Sequence, residues 1–155
     1  MSDRETESAN LAEARRRRAE LHNALVAVEE AISGPAAGRE PIWTQEVVAT
    51  LQRLREAIEA HVEGTERPEG LYDEILHNAP RLADAVDRLR TEHPILRDAT
   101  SDAIAKLRTA PIGTTWTVED ARDELQRLLG RIVRHRQRGA DLVWEAYTLD
   151  IGGTD

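Results

Sequence analysis

Four of the five histidines in this 155-residue chain, His22, His61, His93 and His135, fall one apiece on four segments with helical periodicity. His61, His93 and His135 occupy the apolar stripe itself, where a leucine would otherwise pack. His22 sits on the flank of its stripe, beside Leu21 and one turn before Leu25 and Val26. An imidazole fills a core poorly and binds metal well, through whichever ring nitrogen carries no proton. Helices that each turn one imidazole inward can build a metal or cofactor pocket between them. One histidine on an apolar face is more often a hydrogen-bonded core residue than a ligand, but four on four helices favour a shared ligand. The fifth, His77, lies in a turn-like segment before Pro80 and reads as a surface residue.

The elements that must position these rings are legible from periodicity. Apolar or small positions 11, 14, 18, 21, 25, 28 and 32 alternate steps of three and four, with Arg18 as the one polar intruder, and predict a long amphipathic helix. Gly34, Pro35 and Gly38 end it, and Pro41 precedes the next element. A second helix over about 42–66 carries Val47, Leu51, Leu54, Ile58, His61 and Thr65 on its stripe. Gly64, Pro68 and Gly70 then bring a turn, and LYDEIL (71–76) reads as a short extra helical segment, broken at 77–80. A third helix from about Arg81 carries Leu89, His93 and Leu96, and Pro94 inside it predicts a kink or a widened turn next to His93. Thr117 caps a fourth, with Glu119 and Asp120 in its first turn and Ile132, His135 and Leu142 on its stripe. No strand-like alternation of useful length occurs. The expected fold is all-α: an up-and-down four-helix bundle over 9–149, with a short extra segment between helices two and three, a disordered lead over 1–8 and a flexible tail over 150–155.

Helix lengths say which rings share a layer. His93 lies sixteen residues before Thr109 and His135 seventeen after Val118, so the two should face each other at equal depth. His22 lies twelve residues before Gly34 and His61 nineteen after Ile42. That pair shares a layer only if the first helix runs on or the second begins late.

Composition narrows the chemistry. A net charge of -8 with 32% charged residues predicts a well-hydrated surface and argues against nucleic acid as a partner. The basic run 15–18 is flanked by Glu13 and Glu20 and reads as a solvated helix face. Cysteine is absent, so any metal must be held by nitrogen and oxygen. The chain offers neither a membrane span nor a signal-peptide pattern, which makes cytoplasmic residence the expectation. GTTW and GGTD lack the spacing of nucleophile elbows or phosphate loops, and neighbouring acid pairs such as Glu29 with Glu30 splay around the helix. The pattern favours a binding protein over an enzyme.

Taken together, His22, HVEGTE (61–66), RLRTEHPIL (88–96) and RHRQRGADLVWEAY (134–147) resemble the hemerythrin-like (HHE cation-binding) family across about residues 11–150. The resemblance implies an up-and-down bundle with non-haem iron or another divalent metal held by His22, His61, His93, His135 and Glu66. It also implies a role in handling iron, dioxygen or nitric oxide, with a small diatomic ligand as partner. The chain departs from the family at three places. The bridging carboxylate expected four residues after the helix-two histidine is Thr65. The second helix-three ligand would fall on Leu89 or Arg97, and the helix-four acid on Gly139 or Ala140. Bridging oxygens hold two cations together, so what survives is a set suited to a single ion, with Glu29 or Glu92 as candidates to orient the rings. Two alternatives stand beside this. One is a metal-free bundle serving as a structural or interaction module, through Trp144, Tyr147 and Leu149 unless those only pack the bundle end; the other is haem between His93 and His135.

Overall fold

The structure is a computed structural model that describes residues 8–110 and 112–149, so the expected tail and all of the expected lead except Ser8 lie outside the described residues. Four long helices, α1 (Ala9–Ser33), α2 (Glu40–Glu66), α4 (Ala83–Thr109) and α5 (Val118–Trp144), form the body. The short α3 (Leu71–Asn78) and a 3-10 turn at Pro80–Leu82 lie between α2 and α4, and a π-helical turn, Glu145–Leu149, follows α5. No strand occurs among the described residues, and no helix is long and apolar enough to cross a membrane. The helices pack in a ring, α1 on α2, α2 on α4, α4 on α5, and α5 back on α1. Bonds between opposite ends show each neighbour running antiparallel. Arg67 at the end of α2 pairs with Glu13 near the start of α1, Glu59 of α2 with Arg97 of α4, and Lys106 of α4 with Glu124 of α5.

Local chemistry sets the helix ends. Ser8, expected within the lead, is instead the N-cap of α1: its Oγ accepts from Leu11 N at 3.0 Å and donates to Glu74 at 2.9 Å. Pro41, expected just ahead of the second helix, lies inside the first turn of α2, where its missing N–H costs nothing. Thr117 and Asp120 form a reciprocal capping box at the start of α5, as their types and spacing predict. The last carbonyls of α1 are satisfied from across the bundle, since Arg122 donates to Ile32 O at 2.9 Å and to Gly34 O at 2.8 Å. Pro94 leaves α4 α-helical throughout, without a widened turn beside His93; the π-turn occurs after Trp144 instead.

The core is split in two. The larger part joins α1, α2, α4 and α5 around Trp43, Leu51, Leu54, Ile104 and Ile132. The smaller part lies under α3, where Leu71, Tyr72 and Ile75 pack on Val86, Leu89 and Leu142. His93 and His135, 1% and 2% exposed, lie in the chain between members of the two parts, with Leu89 before and Leu96 after one, Ile132 before and Leu142 after the other. A polar layer therefore interrupts the bundle near the end that α3 covers. At that end Tyr147 packs against the smaller core and its hydroxyl donates to Glu74, while Trp144 stays exposed.

The tight turn Arg67–Gly70 delivers α3 to this position. Glu69 takes a left-handed φ of 61°, and Gly70 N donates to Arg67 O at 2.9 Å. A Cβ at Gly70 would stand 2.8 Å from Arg67 O and 2.9 Å from Gly64 O, both backbone atoms that cannot swing aside. Gly70→Ala should cost about 1–3 kcal/mol in urea unfolding, as overpacking does. Gly113→Ala, where nothing lies within 4 Å, should change stability by less than about 0.5 kcal/mol. Equal effects at the two positions would contradict this account of the turn.

Candidate metal centre

His61 near the end of α2, His93 in α4 and His135 in α5 meet at one depth. Their ring centroids are 5.0, 5.3 and 4.9 Å apart, and one nitrogen from each ring lies within 4.8 Å of the other two. The equal depth expected of His93 and His135 is met. His22 is not part of the group: it is exposed, with Nδ1 2.8 Å from an Arg136 guanidinium nitrogen. The reason is the length mismatch already visible in the sequence. Helix α1 stops at Ser33 and α2 begins at Glu40, so neither adjustment that would level His22 with His61 takes place. At the depth of His61, α1 presents Ala14, Arg17, Arg18 and Leu21 instead.

Two carboxylates fix the tautomers. His93 Nδ1 lies 2.8 Å from Glu66 Oε2, and His135 Nδ1 lies 3.1 Å from Glu92 Oε1. An ionised carboxylate only accepts, so both Nδ1 atoms carry the proton and both Nε2 atoms keep a free lone pair. Glu66, expected as a ligand, thus serves to orient His93. Glu92 does the same for His135, while Glu29, the other candidate for that task, is exposed on α1. Each carboxylate has a cation behind it, with Arg90 Nε 3.5 Å from Glu66 and Arg138 hydrogen-bonded to Glu92. Burial raises the Glu92 carboxyl, but the bonds from Arg138 and His135 outweigh it and hold Glu92 below the usual range.

The rings themselves are held neutral. Burial, then repulsion from His93, His135 and Arg18, lowers His61 to about 3. Burial and then His135 lower His93 to about 3, and burial lowers His135 against the opposing pull of Glu92. The His–Glu contacts are therefore hydrogen bonds from neutral imidazoles. Neutral rings are the state a metal requires, and His93 and His135 each keep an Nε2 lone pair. His61 Nε2 lies 3.2 Å from His135 Nε2, and two imidazole nitrogens bound at about 2.0–2.1 Å subtend about 2.9 Å at a right angle and about 3.4 Å at the tetrahedral angle. With no ion present, His61 Nε2 must supply the proton of that contact, because the His135 lone pair can only accept. The widest separation need close by no more than about 1.5 Å for all three nitrogens to bind one ion.

Tyr72 of α3 was not legible as a site residue. Its ring stacks on His93 with centroids 5.9 Å apart, and its hydroxyl lies 3.3 Å from His93 Nε2, donating to that lone pair. Burial raises its phenol pKa, so it stays protonated. A polar-tipped aromatic directly after the turn was the available signal. Thr65, at the position where the resemblance expects a bridging acid, is buried and donates its hydroxyl to His61 O at 2.9 Å. Gly139 and Ala140, at the other missing acid, line a narrow cavity that also reaches His61. The haem alternative has no room: His93 and His135 meet at 4.9 Å with ring planes 65° apart, and His61 crowds both. His77 is exposed, as expected.

Comparison of the chain with protein-family models, with curated proteins and with solved structures finds no match. The chemistry of the layer has its own consequence for stability. Because the folded-state values of His61 and His93 lie near 3 and the unfolded value near 6.5, the unfolded chain takes up more protons between those limits. The stabilisation from neutral rings is complete above about pH 6.5 and is lost towards pH 3, at about 1.4 kcal/mol per pH unit for each ring. Against a total of about 5–15 kcal/mol, metal-free protein should lose a large part of its stability between about pH 6.5 and pH 4. Urea unfolding in steps from about pH 7.5 to 4 checks this, and a flat profile would contradict the burial of neutral imidazoles.

Proposed function

We propose that the protein binds one divalent transition-metal ion through His61, His93 and His135, leaving coordination positions open to a small ligand. The observation that carries this reading is the pair of carboxylate clamps. Glu66 and Glu92 each hold the Nδ1 proton of an inward ring, so both Nε2 atoms keep a lone pair, one meeting His61 and the other the Tyr72 hydroxyl. Carboxylate to histidine to metal is a recurrent arrangement that orients the ring and raises its basicity. Two buried imidazoles and a half-buried third give little else in return, since leucines at the same positions would pack without desolvation cost.

Three neutral nitrogen donors suit zinc, iron(II), cobalt(II) or nickel(II), and a three-histidine site with an open fourth position is the arrangement of catalytic and ligand-binding ions. The resemblance to hemerythrin-like proteins supports iron, with dioxygen or nitric oxide as the small ligand. The residues at its carboxylate positions support one ion where that family has two. When bound, the ion would supply Lewis acidity or redox chemistry; the chain supplies ring orientation through Glu66 and Glu92, a hydroxyl from Tyr72 beside His93, and water exclusion through α3.

Protein prepared without affinity metals and then titrated should take up about one equivalent of iron(II), zinc or cobalt(II). His61→Ala and His135→Ala should abolish uptake, His22→Ala should leave it unchanged, and Glu92→Gln should weaken it by about 10- to 100-fold. Melting temperature should rise with added metal, because an ion bound only to the folded state stabilises it. No uptake, or uptake that survives His135→Ala, would reject the proposal.

A further inference from the structure

The cavity beside His61 has an electrostatic imbalance that the three histidines do not explain. Its rim carries Arg18 from α1 and Arg136 from α5, and Arg18 is pushed below its ordinary value by burial, then by Arg136 and Arg15. Their neighbours are neutralised, since Arg17 pairs with Glu20 at 3.1 Å and Arg67 with Glu13. No carboxylate pairs with Arg18 or Arg136 among the described residues, and the one polar contact of Arg136 there is to His22. Glu13 lines the same cavity but is committed to Arg67 and Arg17, so among the described residues the two guanidiniums have no ion-pair partner.

We infer that this cavity is a binding site for a small carboxylate, held by the Arg18 and Arg136 guanidiniums with its other end against His61. The inference rests on the metal reading for its full strength, because a dication on three neutral imidazoles adds to the two uncompensated cations. Glu66 and Glu92 are already matched by Arg90 and Arg138. With an ion bound, an anion in this cavity would lie beside His61 and would answer both charges at once. Size sets the class: the cavity measures about 40 Å³, and one water needs roughly 10–15 Å³, so about three or four non-hydrogen atoms fit. That matches formate or acetate. The walls favour the same choice, since Leu21, Leu71 and Val143 can cover a short apolar tail while the planar guanidinium fork pairs with both carboxylate oxygens.

The test is formate titration of cobalt(II)-loaded protein, read in the visible bands of the ion. Formate should shift the wild-type spectrum. Arg18→Gln should take up cobalt with the same stoichiometry yet bind formate at least about tenfold more weakly, and Arg136→Gln should weaken it in the same sense. Arg53→Gln, the same charge change at an exposed position on α2, should leave formate affinity unchanged. Arg18→Gln should melt no lower than wild type, because it removes a repelled cation. Equal formate affinity in Arg18→Gln and wild type, or no spectral response while cobalt is bound, would overturn the inference and leave the metal reading intact. If the protein takes up no cobalt, the metal reading fails separately. The carboxylate site is then read in metal-free protein from the amide resonances of Leu21 and Thr65. Formate-dependent shifts that weaken in Arg18→Gln support it, and their absence rejects it.

Discussion

The arrangement depends on one constraint: two buried imidazoles are each tied at Nδ1 to a carboxylate that can only accept. That tie decides where the protons are, and everything inward follows from it. With Nδ1 protonated on His93 and His135, both Nε2 lone pairs face the interior, and a third ring, His61, meets one of them at 3.2 Å. The layer is neutral because burial makes it so, and its two carboxylates are themselves paired outward, Glu66 with Arg90 and Glu92 with Arg138. A hydrophobic bundle of this size could be built without such a layer. Its presence divides the apolar core and exchanges packing for a concentrated set of donors.

The connection between α2 and α4 adds the rest of the site. A tight turn with no room for a side chain at Gly70 directs α3 back over the bundle end. Burial of Leu71 and Ile75 anchors α3 there, and Tyr72 between them is carried onto the face of His93. The lid is therefore positioned by the smaller hydrophobic cluster, while its one polar tip reaches the imidazole layer. On the side away from Tyr72's partner, small residues in α5 and the arginines of α1 and α5 leave a narrow passage to His61. Packing defines a closed side and charge defines an open one.

The helices were legible because their stripes alternate steps of three and four over many turns, and the bundle followed from four such stripes with short connections. Within the site, the pairing of His93 with His135 was legible for a geometric reason: both lie at nearly equal distances from the same loop. His22 failed that arithmetic, and its ring indeed stands outside the group. Glu92 was legible as a group that could orient a ring, but Glu66 was expected as a ligand and instead meets His93 Nδ1. Glu66 and Glu92 lie off the stripes, and only the spacing between helices reveals that they reach ring nitrogens from the side. Arg18 was visible as a polar residue at an inward position, but the absence of a counter-charge around it is a property of three helices together. Tyr72 depends on a turn whose direction comes from close backbone approach at Gly70.

The most direct test of the central claim is X-ray absorption at the metal edge of protein reconstituted with iron(II) or zinc. The account predicts a first shell of nitrogen and oxygen at about 2.0–2.1 Å, with the outer-ring scattering of three imidazoles and no second metal. Fewer than two imidazoles, or a metal neighbour in the outer shell, would contradict a single ion held by His61, His93 and His135.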